Sequence, residues 1–396
     1  MKKVIEMLGG IQRLIDKKDV VIIKPNLQWW NQGAPNIAGI GTLIDLIMNH
    51  PEGFTGEVVL IENVHRGARP WESENAGWKH EFIRNSDISG IDNYNAFCEM
   101  LKNKYDQRFS YRYLLDYEEG GKRVYTPEDG EGTVLCDGTR GVPLIVLDNG
   151  LSDNNGREVI MSYPIVKTDK GTIIDFKNSI WNNRKYINGG LKFINISGIN
   201  HHSHFCGATG AVKNHLGISD LSGGPDPDIN GKIIGKYFNF HSFPYNKWKN
   251  GPVSGMLGKE IGLFFKTIRK PDLNITTAEW IGINSRTELP VAHTRTIAAS
   301  TDPVALDYHM MKYVLYQNSR DPLHDPDNTQ GPVFHDLNEC AEISGCCFDE
   351  HYVNVASYDL YADRKQEDEE LIQIGKIEFP KGIRNRLKYL FSTAKA

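Results

Sequence analysis

The sequence contains no uninterrupted apolar run approaching the roughly 18 residues needed to cross a bilayer, so no transmembrane segment is expected. Cysteine is scarce. Six residues, at 98, 136, 206, 340, 346 and 347, are too few and too irregular for a disulfide scaffold. The cluster Cys340, Cys346, Cys347 fits neither paired zinc hooks nor a ferredoxin run. Excess charge of one sign is missing too. The net charge is −5, with acids and bases interspersed, which gives no electrostatic footprint for nucleic acid. Internal repeats and low-complexity tracts are absent. Residues 1–18 lack the apolar h-region of a signal peptide and instead alternate as an amphipathic helix through Val4, Ile5, Leu8, Ile11, Leu14 and Ile15. A cytoplasmic location is the default expectation, with export left open because the chain starts inside a helical pattern.

What is present is an ordinary globular composition, 40% apolar and 24% charged over 396 residues, enough for one large domain or two. Val20–Lys24 is a β-branched run that reads as a buried strand. A polar loop follows, then a helical pattern at Ile37, Ile40, Leu43, Ile44 and Ile47, then a second strand over Glu57–Glu62. Strand, helix, strand at this spacing makes a right-handed βαβ unit with parallel strands. Further strands are expected at 144–147, 158–166, 172–176, 191–197, 273–276 and 352–357, with helices near 258–267, 301–316 and 333–343. Residues 67–142 differ in being rich in Trp, Tyr, Asn, Asp and Gly. The expected fold class is therefore α/β, a mostly parallel sheet flanked by helices with an inserted aromatic-rich subdomain. Residues 1–66 and 143–360 would form the core, 67–142 the insertion or lid, and 361–396 a C-terminal extension. That extension carries Lys381, Arg384, Arg386 and Lys388 among apolar residues, the pattern of a short amphipathic helix.

Four segments, in order, carry a resemblance. They are Val21-Ile-Ile-Lys24-Pro25-Asn26-Leu27, Thr209-Gly210-Ala-Val-Lys213-Asn214-His-Leu-Gly217, Lys270-Pro271-Asp272-Leu273-Asn274-Ile275 and Ala299-Ser300-Thr301-Asp302-Pro303-Val304-Ala305-Leu306-Asp307. Together they resemble the DUF362 family of bacterial and archaeal proteins of unassigned function, over roughly residues 18–62 and 190–360. The resemblance implies a fold and candidate positions, not a reaction. Two departures matter. Where many relatives have Lys-x-His before the Thr-Gly-Ala segment, this chain has His201, His202 and His204. The ferredoxin-like cysteine clusters of many relatives are missing, so no iron–sulfur cluster is expected.

The candidate site residues follow from position and chemistry. Lys24 and Asn26 flank Pro25 where a buried strand ends, and ligands bind outside the carboxyl ends of such strands. A fixed ammonium beside an amide suits a phosphate or carboxylate. Gly207–Gly217 reads as a glycine-rich turn into a helix whose free N–H groups, with Thr209, Lys213 and Asn214, would face an anion. Its spacing is not that of a nucleotide-hydrolysing loop. On an extended stretch His202 and His204 share one side and His201 faces the other. The pair would hold a divalent transition metal or act as acid and base, or be ordinary hydrogen-bonded histidines. His215 belongs to the same group. Asp302 before Pro303 is a helix cap, which leaves Asp307 as the better catalytic candidate. Glu62 and His65 gain interest only from their location. The leading expectation is an enzyme acting on a small anionic, phosphorylated or carboxylated, substrate. Lys24, Asn26, Thr209, Lys213 and Asn214 would bind it, and His202, His204 and Asp307 would perform the chemistry. The alternative is a non-catalytic protein that binds a ligand, cofactor or partner, with Trp71, Trp78, Phe82, Tyr94 and Phe97 as a docking face.

Overall fold

Both faces of the central sheet are covered, and the strand sequences show why. In Val20–Pro25 (β1) and Glu57–Asn63 (β2) every residue is buried. Side chains alternate across a strand, so Val20, Ile22, Val59 and Ile61 enter one core while Val21, Ile23, Val58 and Leu60 enter the other. Continuous apolar runs are the signature of strands sandwiched between two layers. The computed structural model describes residues 1–27, 29–63, 78–79, 88–114, 123–146, 158–204, 206–219, 237–238 and 256–361.

Four further strands complete this sheet: Phe109–Leu114 (β3), Leu191–Ser197 (β4), Leu273–Gly282 (β5) and Val291–Ser300 (β6). Their order is β6-β5-β4-β1-β2-β3. All neighbours run parallel except β5 and β6, which are antiparallel. The carboxyl ends of β1, β2 and β4 therefore open onto one edge, as the βαβ reading requires. The fold class is α/β with a mostly parallel sheet and helices around it.

One face is covered by Ile37–Met48 (α1) and Tyr94–Tyr105 (α2), each started by an asparagine cap. Asn36 accepts from the Gly39 amide at 3.1 Å and Asn93 from Ala96 at 2.9 Å. The other face meets Met256–Thr267 (α3), Pro303–Met310 (α4) and Pro332–Ser344 (α5), together with a second six-stranded sheet built from residues 123–187. Glu57 links the two sheets by accepting the hydroxyls of Thr168 and Thr172.

Several expectations on 67–142 change. Residues 94–114 supply α2 and β3, a parallel extension of the main sheet rather than part of a lid. The boundary expected at 142/143 falls inside the second sheet, where Gly132–Leu135 pairs with Ser162–Lys167. Three of the five aromatic residues named for a docking face, Trp78, Tyr94 and Phe97, are core. Trp78 donates to the Asn63 carbonyl at 3.2 Å, Tyr94 to that of Pro35 at 2.7 Å, and Phe97 is fully buried. Trp71, Phe82, His65 and the basic tail lie outside the described residues. At the N-terminus Gly9 and Gly10, both at positive φ, break the expected single helix into Lys2–Met7 and Ile11–Leu14. The strand expected at 352–357 does not form. No helix among the described residues is long and apolar enough to cross a membrane.

Candidate functional site

The Lys24 side chain at the end of β1 is 0% exposed. Its ammonium donates to Glu62 Oε2 at 2.8 Å and to Asn214 Oδ1 at 2.6 Å. Glu62 is saturated in turn, with Oε2 also taking the Leu27 amide at 3.0 Å and Oε1 the Asn63 amide at 2.7 Å. Burial pushes the Lys24 amine down and the Glu62 carboxyl up, each opposed by the other's charge. Asn214 completes the knot by donating to Asn195 Oδ1 (2.6 Å) and the Ile196 carbonyl (3.1 Å). Gly217 is obligatory beside it, since a Cβ there would lie 1.9 Å from Glu62 Oε1 and 2.6 Å from Lys24 Nζ. Lys24 and Asn214 were expected to grip a substrate anion. The structure places them in a closed polar strut that ties β1, β2 and β4 to the turn above them.

The turn itself differs from the expected helix. Lys213–Ile218 is a short 3₁₀ segment, and the amides before it are occupied. Asp307 Oδ1 accepts from Ala211 N at 2.7 Å and Oδ2 from Val212 N at 2.8 Å. Burial raises the Asp307 carboxyl to about 7, against the pull of those two amides. The anion for this turn is thus supplied from within the chain, and Asp307, expected to be catalytic, acts as its cap. A Cβ on Gly210 would strike that carboxylate at 2.4 Å. Asp302 caps α4 as expected, accepting from Val304 and Ala305. The half-buried Lys213 acts electrostatically on Asp336 in α5. Thr209 is buried, with its hydroxyl 3.4 Å from the Asn200 carbonyl, and Asn26 is buried as well. His215 sits among Phe193, Phe264 and Phe265. Burial lowers it to about 3, so it is a neutral core residue.

The histidine run behaves differently from an extended stretch. Asn200–His201 pairs with Ala208–Thr209. A tight turn then intervenes, with the Cys206 and Gly207 amides both bonded to the Ser203 carbonyl. The period of two is broken there. His202 is buried and its Nδ1 lies 3.0 Å from Ser203 Oγ, whereas His204 is exposed. They do not share a face, and His202 and His204 do not form the expected metal pair.

It is His201, expected to point away, that meets other ligand groups. Its Nδ1 lies 2.9 Å from His324 Nε2, and the Asp321 carboxylate joins them. Donor atoms of the three lie within 4.8 Å of one another, and among the described residues they are the one group of three or more such side chains spaced closely enough to share a metal. His201 and Asp321 are partly exposed and His324 is buried. Desolvation lowers both imidazoles, His324 to about 4, against the raising influence of Asp321. Desolvation thus favours the uncharged form of each ring, the form in which an imidazole can offer a lone pair.

These residues are delivered by defined backbone. The helix begun by α4 passes through a π-helical turn at Met311–Leu315 and stops at Ser319. Arg320 at φ 57° and Pro322 prevent its continuation. Asp321 Oδ1 caps the Leu323 amide at 3.0 Å, and Ser319 Oγ lies 2.7 Å from His324 Nδ1. On the other side, Asn200 fixes the segment carrying His201 by donating to the Gln32 carbonyl at 2.8 Å and accepting from Gly282 N at 2.6 Å. Gln32 and Asn31 bind the carbonyls of Glu288 and Thr287. Arg286 lies in that loop, stacked 4.2 Å over Trp29, and its charge acts on His201. The loops following β1, β4 and β5 are thereby knitted into one mouth.

Sequence reasoning placed His201 on the side opposite His202 but gave the metal role to His202 and His204, and passed over Asp321, His324 and Arg286. The available signal was Asp321-Pro-Leu-His324-Asp-Pro-Asp327, a histidine amid acids and turn-forming prolines. Comparison with protein-family models, with curated proteins and with solved structures finds no match for this chain.

Proposed function

We propose that the protein is an enzyme of DUF362-like architecture that acts on a small anionic, phosphorylated or carboxylated, substrate at the mouth formed by the loops after β1, β4 and β5. The observation that carries this reading is the meeting of two imidazoles and a carboxylate, His201, His324 and Asp321, at that edge of a parallel sheet. Such groups serve proton transfer, or present a divalent transition metal to an oxyanion. Arg286 supplies the positive charge beside them, the role first sought in Lys24 and Lys213. Its planar guanidinium matches carboxylate and phosphate oxygens two at a time. Preorganised cations placed where negative charge develops lower barriers without reorganisation at the moment of reaction.

Inorganic phosphate and succinate are suitable probes, followed by calorimetry and by hydrogen exchange. Saturable binding is expected, with slowed exchange at residues 198–204 and 283–290, weakened about tenfold or more in Arg286→Met, the loss of one charge-assisted contact. Binding that leaves those two loops unprotected, or that is indifferent to Arg286→Met, contradicts the reading.

A further inference from the structure

We propose that His201 Nδ1, His324 Nε2 and the Asp321 carboxylate form a three-ligand site for one divalent transition-metal ion of the zinc, cobalt, nickel or iron class. The proposal deepens the enzymatic reading and rests on it for the metal's role, but not for the metal's binding. Donor type sets the class. Two imidazole nitrogens with one carboxylate oxygen suit these metals, whereas magnesium and calcium require mostly oxygen ligands.

The geometry is close to that of a bound state. Metal–nitrogen bonds of about 2.0–2.1 Å place two cis nitrogens about 2.8–3.0 Å apart at a right angle and about 3.3 Å apart in a tetrahedron. The observed separation of 2.9 Å needs at most a few tenths of an ångström of adjustment. The hydrogen bond aims the two nitrogens at each other; loss of the shared proton and a tilt of the rings would turn both toward an ion beside them, with the Asp321 carboxylate within reach of both.

Support from the surrounding residues follows the pattern of metal-ligating histidines, whose second ring nitrogen is engaged by a neighbouring group that fixes the ring. Ser319 Oγ does this at His324 Nδ1, and the same oxygen takes the Asp321 amide at 3.2 Å, so one hydroxyl orients two of the three ligands. The third rides on Asn200, clamped from both sides. A purely structural role would be a His–His hydrogen bond joining two loops. That role explains the Nδ1–Nε2 contact, and the Leu323 cap accounts for Asp321 Oδ1; neither requires the carboxylate to lie within 4.8 Å of both imidazoles. Three protein ligands leave coordination positions for water or a substrate oxygen, the arrangement of catalytic rather than structural metal sites.

The test uses the full chain stripped with chelator and titrated with Co2+ by visible absorbance, then with Zn2+ by calorimetry. One ion per chain is expected, with no displacement by millimolar Mg2+ or Ca2+. His324→Ala and His201→Ala should abolish stoichiometric binding, and Ser319→Ala should weaken it about 10–100-fold while leaving the fold intact. His204→Ala should bind as the wild type does. Absence of Co2+ and Zn2+ binding by folded wild-type protein, or one-to-one binding that survives both histidine substitutions, overturns the proposal. Loss of metal binding with phosphate protection retained at 198–204 and 283–290 would remove the metal and keep the enzymatic reading. Metal binding with no anion protection would do the reverse.

Discussion

Lys24 shows how one residue's surroundings decide between a ligand grip and a structural strut. A lysine at a strand's carboxyl end next to a proline has the position of a binding residue, yet its ammonium is enclosed by Glu62 and Asn214 with nothing exposed. Removing one partner of a buried ion pair strands the other charge, at a cost of about 3–5 kcal/mol. Lys24→Met should therefore lose about that much stability in urea unfolding, and Lys24→Met/Glu62→Gln should lose clearly less, because the stranded charge is gone. A double variant as unstable as the single one would show that Glu62 is not held by Lys24. No sequence pattern could have closed this pair, because Glu62 and Asn214 are 38 and 190 positions away. What the sequence did carry was the strand end that brings Lys24 and Glu62 to the same edge.

Among elements, the strands with apolar runs were legible, and those whose stability comes from pairing were not. β1, β2 and β4 appear in the sequence nearly to the residue, because burial on both faces concentrates large apolar residues in each. β3 and β6, in Phe109–Leu114 and Val291–Ser300, mix Ser, Thr, Tyr, Arg and His and sit at the two edges of the sheet. One covered face and one neighbour are enough to hold them, and neither leaves a strong period. The glycine-rich turn was located correctly but its chemistry was inverted. Its amides look available until Asp307, from an element about 95 residues on, fills them. The histidine run failed for a local reason, the Ser203–Gly207 turn that ends the extended backbone.

The contact between α3 and α5 gives a pH-dependent consequence. Gly258 lets the helices approach so closely that a Cβ would lie 1.9 Å from the Asp336 carbonyl oxygen. The buried Asp336 carboxyl is raised to about 7, and Glu260 beside it is raised well above its ordinary range, with neither oxygen meeting a hydrogen-bond partner among the described residues. In each case desolvation is the leading cause. A carboxyl with a raised folded pKa binds more protons in the native than in the unfolded state between about pH 4 and 7. Its contribution to stability is therefore present in acid and lost as pH rises through that window. Asp336→Asn keeps an acceptor for the Gly258 amide and removes the ionisation. It should match the wild type in thermal unfolding at pH 4 and exceed it at pH 8, by a few kcal/mol at most, on the order of 1.4 kcal/mol for each tenfold change in proton affinity. Equal differences at the two pH values would contradict the burial of an ionising group there.

At the scale of the whole molecule, the parallel sheet was readable and the edge that carries the candidate site was partly readable. Strand direction alone places the ends of β1, β2 and β4 together, and the loops after β1, β4 and β5 do interlock through Asn31, Gln32 and Asn200. The residues that give this edge its chemistry come partly from a distant helix end, where Arg320 turns the chain and presents Asp321 and His324 to His201. The most specific claim made for this convergence is that it holds a metal. Crystals of the full chain grown with Co2+ would test it by anomalous diffraction above and below the cobalt edge. The account requires one strong peak bounded by His201 Nδ1, His324 Nε2 and the Asp321 carboxylate, at about 2.0–2.2 Å from each. A cobalt peak elsewhere on the molecule, or a map in which the two imidazoles remain bonded to each other with no anomalous density beside them, would contradict it.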